Sequence, residues 1–240
     1  MITLRLLQLG DSALPVGGYT HSWGLETAIQ RGAVHDAASL ENWTRSWLRR
    51  SVGPMEGVAV ACVCRAACDA RWDQVLRADH LVTASLNPTS LRSASREMGE
   101  QLLALAATWE WSRSIVEALS AASLQSDPSH DRLLPHAREG TKRNYCVAFG
   151  VLAAAAGATA EEALCVYLNQ AALGMIAAGV RGIPVGHTHA QQILAYLHDD
   201  IQELTRSHSR QELNAAGSGS PYYEVLCHEQ PRLYSRLFRS

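Results

Sequence analysis

Two runs without a formal charge, Asn144–Ala160 and Leu164–Val180, constrain the fold of this 240-residue chain more than any other feature. A helix of either length rises about 25 Å, short of the roughly 30 Å hydrocarbon core of a bilayer. The second run also carries Asn169 and Gln170. Both are therefore expected to be helices buried on most sides at the centre of a bundle, not membrane spans. The rest of the chain supplies amphipathic partners for them. Leu40, Trp43, Trp47 and Leu48 share one helical face, with Glu41, Arg45 and Arg49 elsewhere. Met98, Leu102, Leu105 and Trp109 form a second stripe opposite Glu97 and Glu100. Ile193, Leu194, Leu197, Ile201 and Leu204 form a third, with Asp199, Asp200 and Gln202 expected to face away.

Punctuation fits the same scheme. Asn87-Pro88-Thr89 separates two helices, Gly157 stops one, and Thr159-x-x-Glu162 is a capping box opening the next. Pro184-Val-Gly186 marks a further break. No run alternates as a strand would. The expectation is an all-α, single helical-bundle domain of roughly nine or ten helices over residues 1–216. A C-terminal tail at 217–240 opens with the flexible "GSGSP". Gln125–Asn144, broken by Pro128, Pro135 and Gly140, is expected to be a surface loop carrying a short helix.

Net charge is −2, which supplies no field for a phosphate backbone, so no nucleic-acid partner is expected. The basic residues are almost all arginine, with Lys142 the single lysine. Codon bias and interface use both account for that. No export signal opens the chain, so a cytoplasmic location is expected. Cys62, Cys64, Cys68, Cys146, Cys165 and Cys227 are then expected to be reduced and mostly packed.

Reactive constellations are sparse. The phosphate-cradling glycine loop, the helical zinc-protease motif and the serine nucleophile elbow are absent. On a helix Cys62 and Cys64 point about 200° apart, which does not make a tetrahedral site with Cys68. His187-Thr-His189 could offer two imidazoles to a metal only in extended chain. Three His-Asp doublets, His35-Asp36, His130-Asp131 and His198-Asp199, support the one enzymatic alternative, a helical metal-dependent phosphohydrolase. Asp36 reads equally as a helix cap, and Asp199 as a solvated carboxylate. Arg181 ends the second uncharged run. It either complements the helix dipole or presents a cation to a partner.

One stretch resists the helical pattern. "GDSALPVGGYTHSWGLE", residues 10–26, holds too many glycines and a proline for one helix and too many apolar groups for a linker. With its flanks it closely resembles the N-terminal signature of the urease accessory protein F (UreF) family, in Asp11, Ser12, Pro15, Gly17, Gly18, Tyr19, His21, Ser22, Gly24, Leu25 and Glu26. "SREMGEQLL", "AALGMIAAGVRGIPVGHTHAQ" and "HEQPRLYSRLFRS" resemble three further family blocks in the same order. The chain departs at His187, where the family has Gln, and at Cys227 and Pro231 in the tail.

The resemblance implies an all-α, non-enzymatic scaffold without a cofactor or a metal site of its own. It further implies a dimer that binds the scaffold protein UreD (also called UreH), recruits the nickel-carrying GTPase UreG, modulates GTP hydrolysis and helps nickel reach apo-urease. On that reading Tyr234, Arg236, Leu237, Phe238 and Arg239 form a partner-facing tail that orders on binding, and Arg181 faces the GTPase. Asp11, Ser12, Pro15, His21 and Glu26 hold the glycine-rich loop together through local hydrogen bonds. Whether His187, His189 or Cys227 touches metal is left open.

Overall fold

The computed structural model describes residues 3–125 and 142–239. Among these the chain is all-α, with no strand. The helices are α1 (Leu4–Leu9), α2 (Leu25–Gln30), α3 (Ala37–Cys68), α4 (Trp72–Ser85), α5 (Thr89–Ala106) and α6 (Arg113–Gln125). They continue as α7 (Tyr145–Ala155), α8 (Ala160–Gly182), α9 (His187–Tyr196), α10 (His198–His208) and α11 (Pro221–Glu229). The His130-Asp131 doublet and most of the Gln125–Asn144 segment lie outside the described residues.

The first uncharged run is the centre of the molecule. Every residue from Tyr145 to Ala153 of α7 is buried, between α3, α5 and α8. Gly150 permits the approach to α3, since a Cβ there would sit 2.9 Å from Val63 Cγ1 and 3.0 Å from the Val60 carbonyl. The second run, α8, is less deeply buried than α7, with most of its remaining positions partly covered. Its most apolar window is only 50 % buried, against 72 % for α3. Gly174 and Ala177 lie on its open side. Both helices are long and apolar enough to cross a bilayer, and both contribute heavily to the packed core.

Local chemistry sets the ends. Asp36 accepts from Ser39 N at 2.8 Å, and Ser39 Oγ closes the capping box that opens α3. Thr159 and Glu162 cap α8 reciprocally, as their spacing dictates. Within α3 the chain widens to π-type turns over Leu48–Gly57. Pro54 has no N–H to offer its preceding turn. The Arg50 carbonyl is instead satisfied by Gly219 N at 2.8 Å, and the Pro54 carbonyl by Gly217 N at 3.1 Å. The glycine linker before α11 is thereby fastened to the irregularity in α3.

Two sequence expectations are corrected. The stripe from Ile193 to Leu204 is not one helix; it divides at Leu197, whose N–H bonds both Ile193 O and Leu194 O. Asp200 does not face solvent. It is 7 % exposed and joins Arg45 Nε at 2.9 Å and Arg49 Nε at 2.5 Å. Burial pushes its carboxyl up, but the two guanidinium hydrogen bonds outweigh this and hold it below the usual aspartate range. The hydrophobic period marks Asp200 as polar but cannot distinguish water from an arginine pair on α3.

Candidate functional site

The loop before α2 takes its path from backbone conformations that few residues tolerate. Gly17 and Gly24 have φ of 80°, and Trp23, next to Gly24, has φ of 53°. At Gly24 a side chain is excluded twice over, by that φ and by Cys227 Sγ, 2.8 Å from where a Cβ would lie. Asp11 turns the loop start by accepting from Ala13 N at 2.8 Å. Ser12 and Pro15 are exposed beside it. His21 is buried, its ring 5.4 Å from that of Trp23. Burial lowers its pKa, the nearby Arg239 charge lowers it further, and Glu97 opposes both.

The polar groups of α2 reach the chain's far end rather than the loop. The buried Glu26 carboxylate accepts from Leu237 N, from Phe238 N at 3.4 Å and from Gln230 Nε2 at 3.3 Å. Thr27 Oγ1 donates to Leu226 O at 3.1 Å, and Gln30 Nε2 to Ser235 O at 3.0 Å. Arg31 pairs with Glu229. Arg239 N donates to Thr20 O at 2.8 Å. A helix of six residues is thus a receptor for segment 226–239.

Phe238 is the anchor of that segment. It is 4 % exposed, a burial that contributes about 2 kcal/mol. Its neighbours point the other way: Tyr234 and Leu237 are fully or largely exposed, and Arg236 and Arg239 are exposed. The guanidinium carbon of Arg181 lies 4.4 Å from the Phe238 ring centroid and 3.6 Å from that of Tyr19. Arg181 Nε also donates to Ala177 O at 3.2 Å, so it both caps the last turn of α8 and joins loop to tail. The structure brings together Arg181, Phe238, Arg239, His21 and Glu26. It leaves Asp11, Ser12 and Pro15 along the adjoining loop, and Tyr234, Arg236 and Leu237 directed outward.

Beneath the loop lies a cavity of about 560 Å³, walled by α3, α5, α7, α8 and the start of α11. At its wall stands Glu56, from the π-type segment of α3. Its carboxylate accepts from Tyr167 Oη at 3.1 Å. Burial pushes that carboxyl from 4.5 up to about 7, against the lowering effect of the tyrosine. The sequence does carry one signal for this residue. It is a solitary acid beside Pro54 in an otherwise apolar run.

The candidate metal residues are placed as follows. Asp36 is engaged in its cap, and His35 Nε2 stands 3.7 Å from Asp36 Oδ2 at the surface. His198, Asp199, His187 and His189 are exposed. Burial raises the Cys227 thiol to about 12, which keeps it neutral. Cys64 and Cys62 hydrogen-bond to the carbonyls of Ala158 and Gln211. All six cysteines are unpaired. Among the described residues no three His, Cys, Asp or Glu side chains are grouped as a metal would need.

The UreF family model matches residues 34–198, a span that includes Arg181 but neither the loop nor the tail. Similarity to single proteins covers both. The urease accessory protein UreF of Arthrobacter sp. strain FB24 is 31 % identical over 237 residues, spanning 99 % of this chain and 96 % of its own length. That of Granulibacter bethesdensis is 32 % identical over 238 residues, spanning 98 % and 93 %.

Proposed function

The chain belongs to the UreF family of urease accessory proteins, and on that premise we propose that it works in urease maturation as a non-catalytic scaffold. In this reading it recruits the GTPase UreG to the UreD/UreH–urease complex, modulates GTP hydrolysis and assists nickel insertion into apo-urease. One observation carries the reading: segments some 200 residues apart in sequence are hydrogen-bonded into a single face that directs Tyr234, Arg236 and Leu237 outward. Exposed tyrosine and arginine side chains on a fixed backbone are enriched among the anchors of protein interfaces. A homodimer is part of the same proposal, on the strength of the family. A cytoplasmic site of action follows from the partners.

Deleting residues 228–240 is expected to abolish co-purification with UreD/UreH while far-UV helicity is retained; undiminished pull-down would contradict the tail's role. Arg181→Ala is expected to change the GTP hydrolysis rate of the assembled complex by severalfold. Loop and tail lose their shared cation, but the α8 C-terminus keeps its backbone bonds. An unchanged rate in a correctly assembled complex would remove Arg181 from the mechanism.

A further inference from the structure

The loop-roofed cavity has a chemistry of its own that the scaffold role does not use. Its volume, about 560 Å³, falls in the range of pockets that enclose small organic molecules. Its walls are largely apolar and aromatic, with Trp47, Met55, Leu91, Met98 and Tyr145 among them. Into these walls the fold sets Glu56, which takes a single hydrogen bond, from Tyr167. No cation pairs with it among the described residues.

The charges around the space are unbalanced. Asp11, Glu56 and Glu224 line it, against the single guanidinium of Arg181. That guanidinium already lies over the rings of Tyr19 and Phe238. A carboxylate partly withdrawn from water without a counter-charge is costly, and bringing one in offsets that cost. Aromatic faces add attraction for an organic cation once water is displaced. A divalent metal is a poorer match, because it asks for several oxygen or nitrogen ligands at once, and no such group is assembled among the described residues. Widened turns of the kind that carry Glu56 recur at binding sites.

We propose that this cavity is a binding site for a free aliphatic amine, with its ammonium group on the Glu56 carboxylate and its alkyl chain along the aromatic wall. The ammonium supplies three donors and needs no acceptor. Glu56 offers the charge, and the Tyr167 and Tyr145 hydroxyls offer further lone pairs. A short diamine suits the site best, since Asp11 and Glu224 add carboxylates elsewhere on the lining.

The test is titration calorimetry on the full chain with 1,4-diaminobutane, with 1,4-butanediol as the neutral isostere and nickel ion as a third probe. The diamine is expected to bind, the diol at least about tenfold more weakly, and Glu56→Gln to weaken the diamine by about tenfold or more. Glu56→Gln keeps the volume and the Tyr167 contact. Should it fail to fold, Ala171→Leu narrows the same cavity from α8 and is expected to abolish diamine binding with Glu56 intact. Equal affinity for diamine and diol, full binding by either variant, or no diamine binding at all would overturn the proposal. So would nickel binding that depends on Glu56 and excludes the diamine.

Discussion

Asp79→Ala is expected to lower the unfolding free energy by about 3–5 kcal/mol, the range for removing one partner of a buried ion pair. Asp79 is 3 % exposed and Arg143 6 %. Arg143 Nη1 donates to Asp79 Oδ2 at 3.1 Å, while the other oxygen, Oδ1, accepts from Asn144 N and Asn144 Nδ2, both at 2.8 Å. Asn144 Nδ2 also reaches Thr83 Oγ1, and Arg143 Nη2 reaches Ser123 Oγ, each at 2.7 Å. One carboxylate thus fixes the chain immediately before α7, the helix around which the core is built. Without it the guanidinium loses the Asp79 charge, and the Asn144 amide loses its acceptor at the start of α7. Relief by movement is restricted, because the Arg143 carbonyl is packed against Gly99 of α5, 2.0 Å from where a Cβ would lie. Urea unfolding followed by far-UV circular dichroism measures the loss. A cost below about 1 kcal/mol would mean that water or another base compensates.

Glu56→Gln is expected to act in the opposite direction. The glutamate's pKa is raised in the folded state, from 4.5 to about 7. Below 4.5 both folded and unfolded chains hold the proton, and the group does not affect stability. As pH climbs from 4.5 towards 7 the unfolded chain releases its proton while the folded chain retains it. Stability therefore falls through that window and levels off above it, by at most about 3 kcal/mol in total, because Glu56 is only partly buried. Tyr167, Tyr223 and Cys146, which feel the Glu56 charge, remain neutral throughout, since burial raises each well above its ordinary value. Glutamine removes the ionisation. At pH 8 the variant is expected to be more stable than the parent by about 1–3 kcal/mol, and at pH 4 nearly equal to it. Parallel stability–pH curves for the two proteins would show that water already solvates the carboxylate.

Much of the architecture was legible because local patterns report local requirements. A backbone amide at a helix start must be satisfied within a few residues, so Asp36 with Ser39 and Thr159 with Glu162 can be recognised by spacing. Pro88, Gly157 and Pro184 bound helices for equally local reasons. The α7 run has no charge because it has no solvent-facing side. The α8 run looks the same in sequence yet leaves Gly174 and Ala177 exposed, since apolar composition does not say which positions the neighbouring helices cover. Asp199 and Asp200 illustrate a second limit. They are adjacent acids on one helix, one solvated and one gripped by two arginines from α3.

The same division applies to the site. Local patterns alone specify a helical bundle, the glycines that turn residues 10–24, and a terminal segment with apolar and arginine side chains suited to burial against something. What that something is emerges from the packed fold: α2 through Glu26, and the Tyr19–Arg181–Phe238 cluster. That fold alone placed Glu56 in a cavity. Helical periodicity and capping are encoded within a few residues, where chain connectivity fixes the neighbours. The contacts of Glu26 and Arg181 join positions up to about 200 residues apart, and their geometry exists only once the whole core has condensed between them.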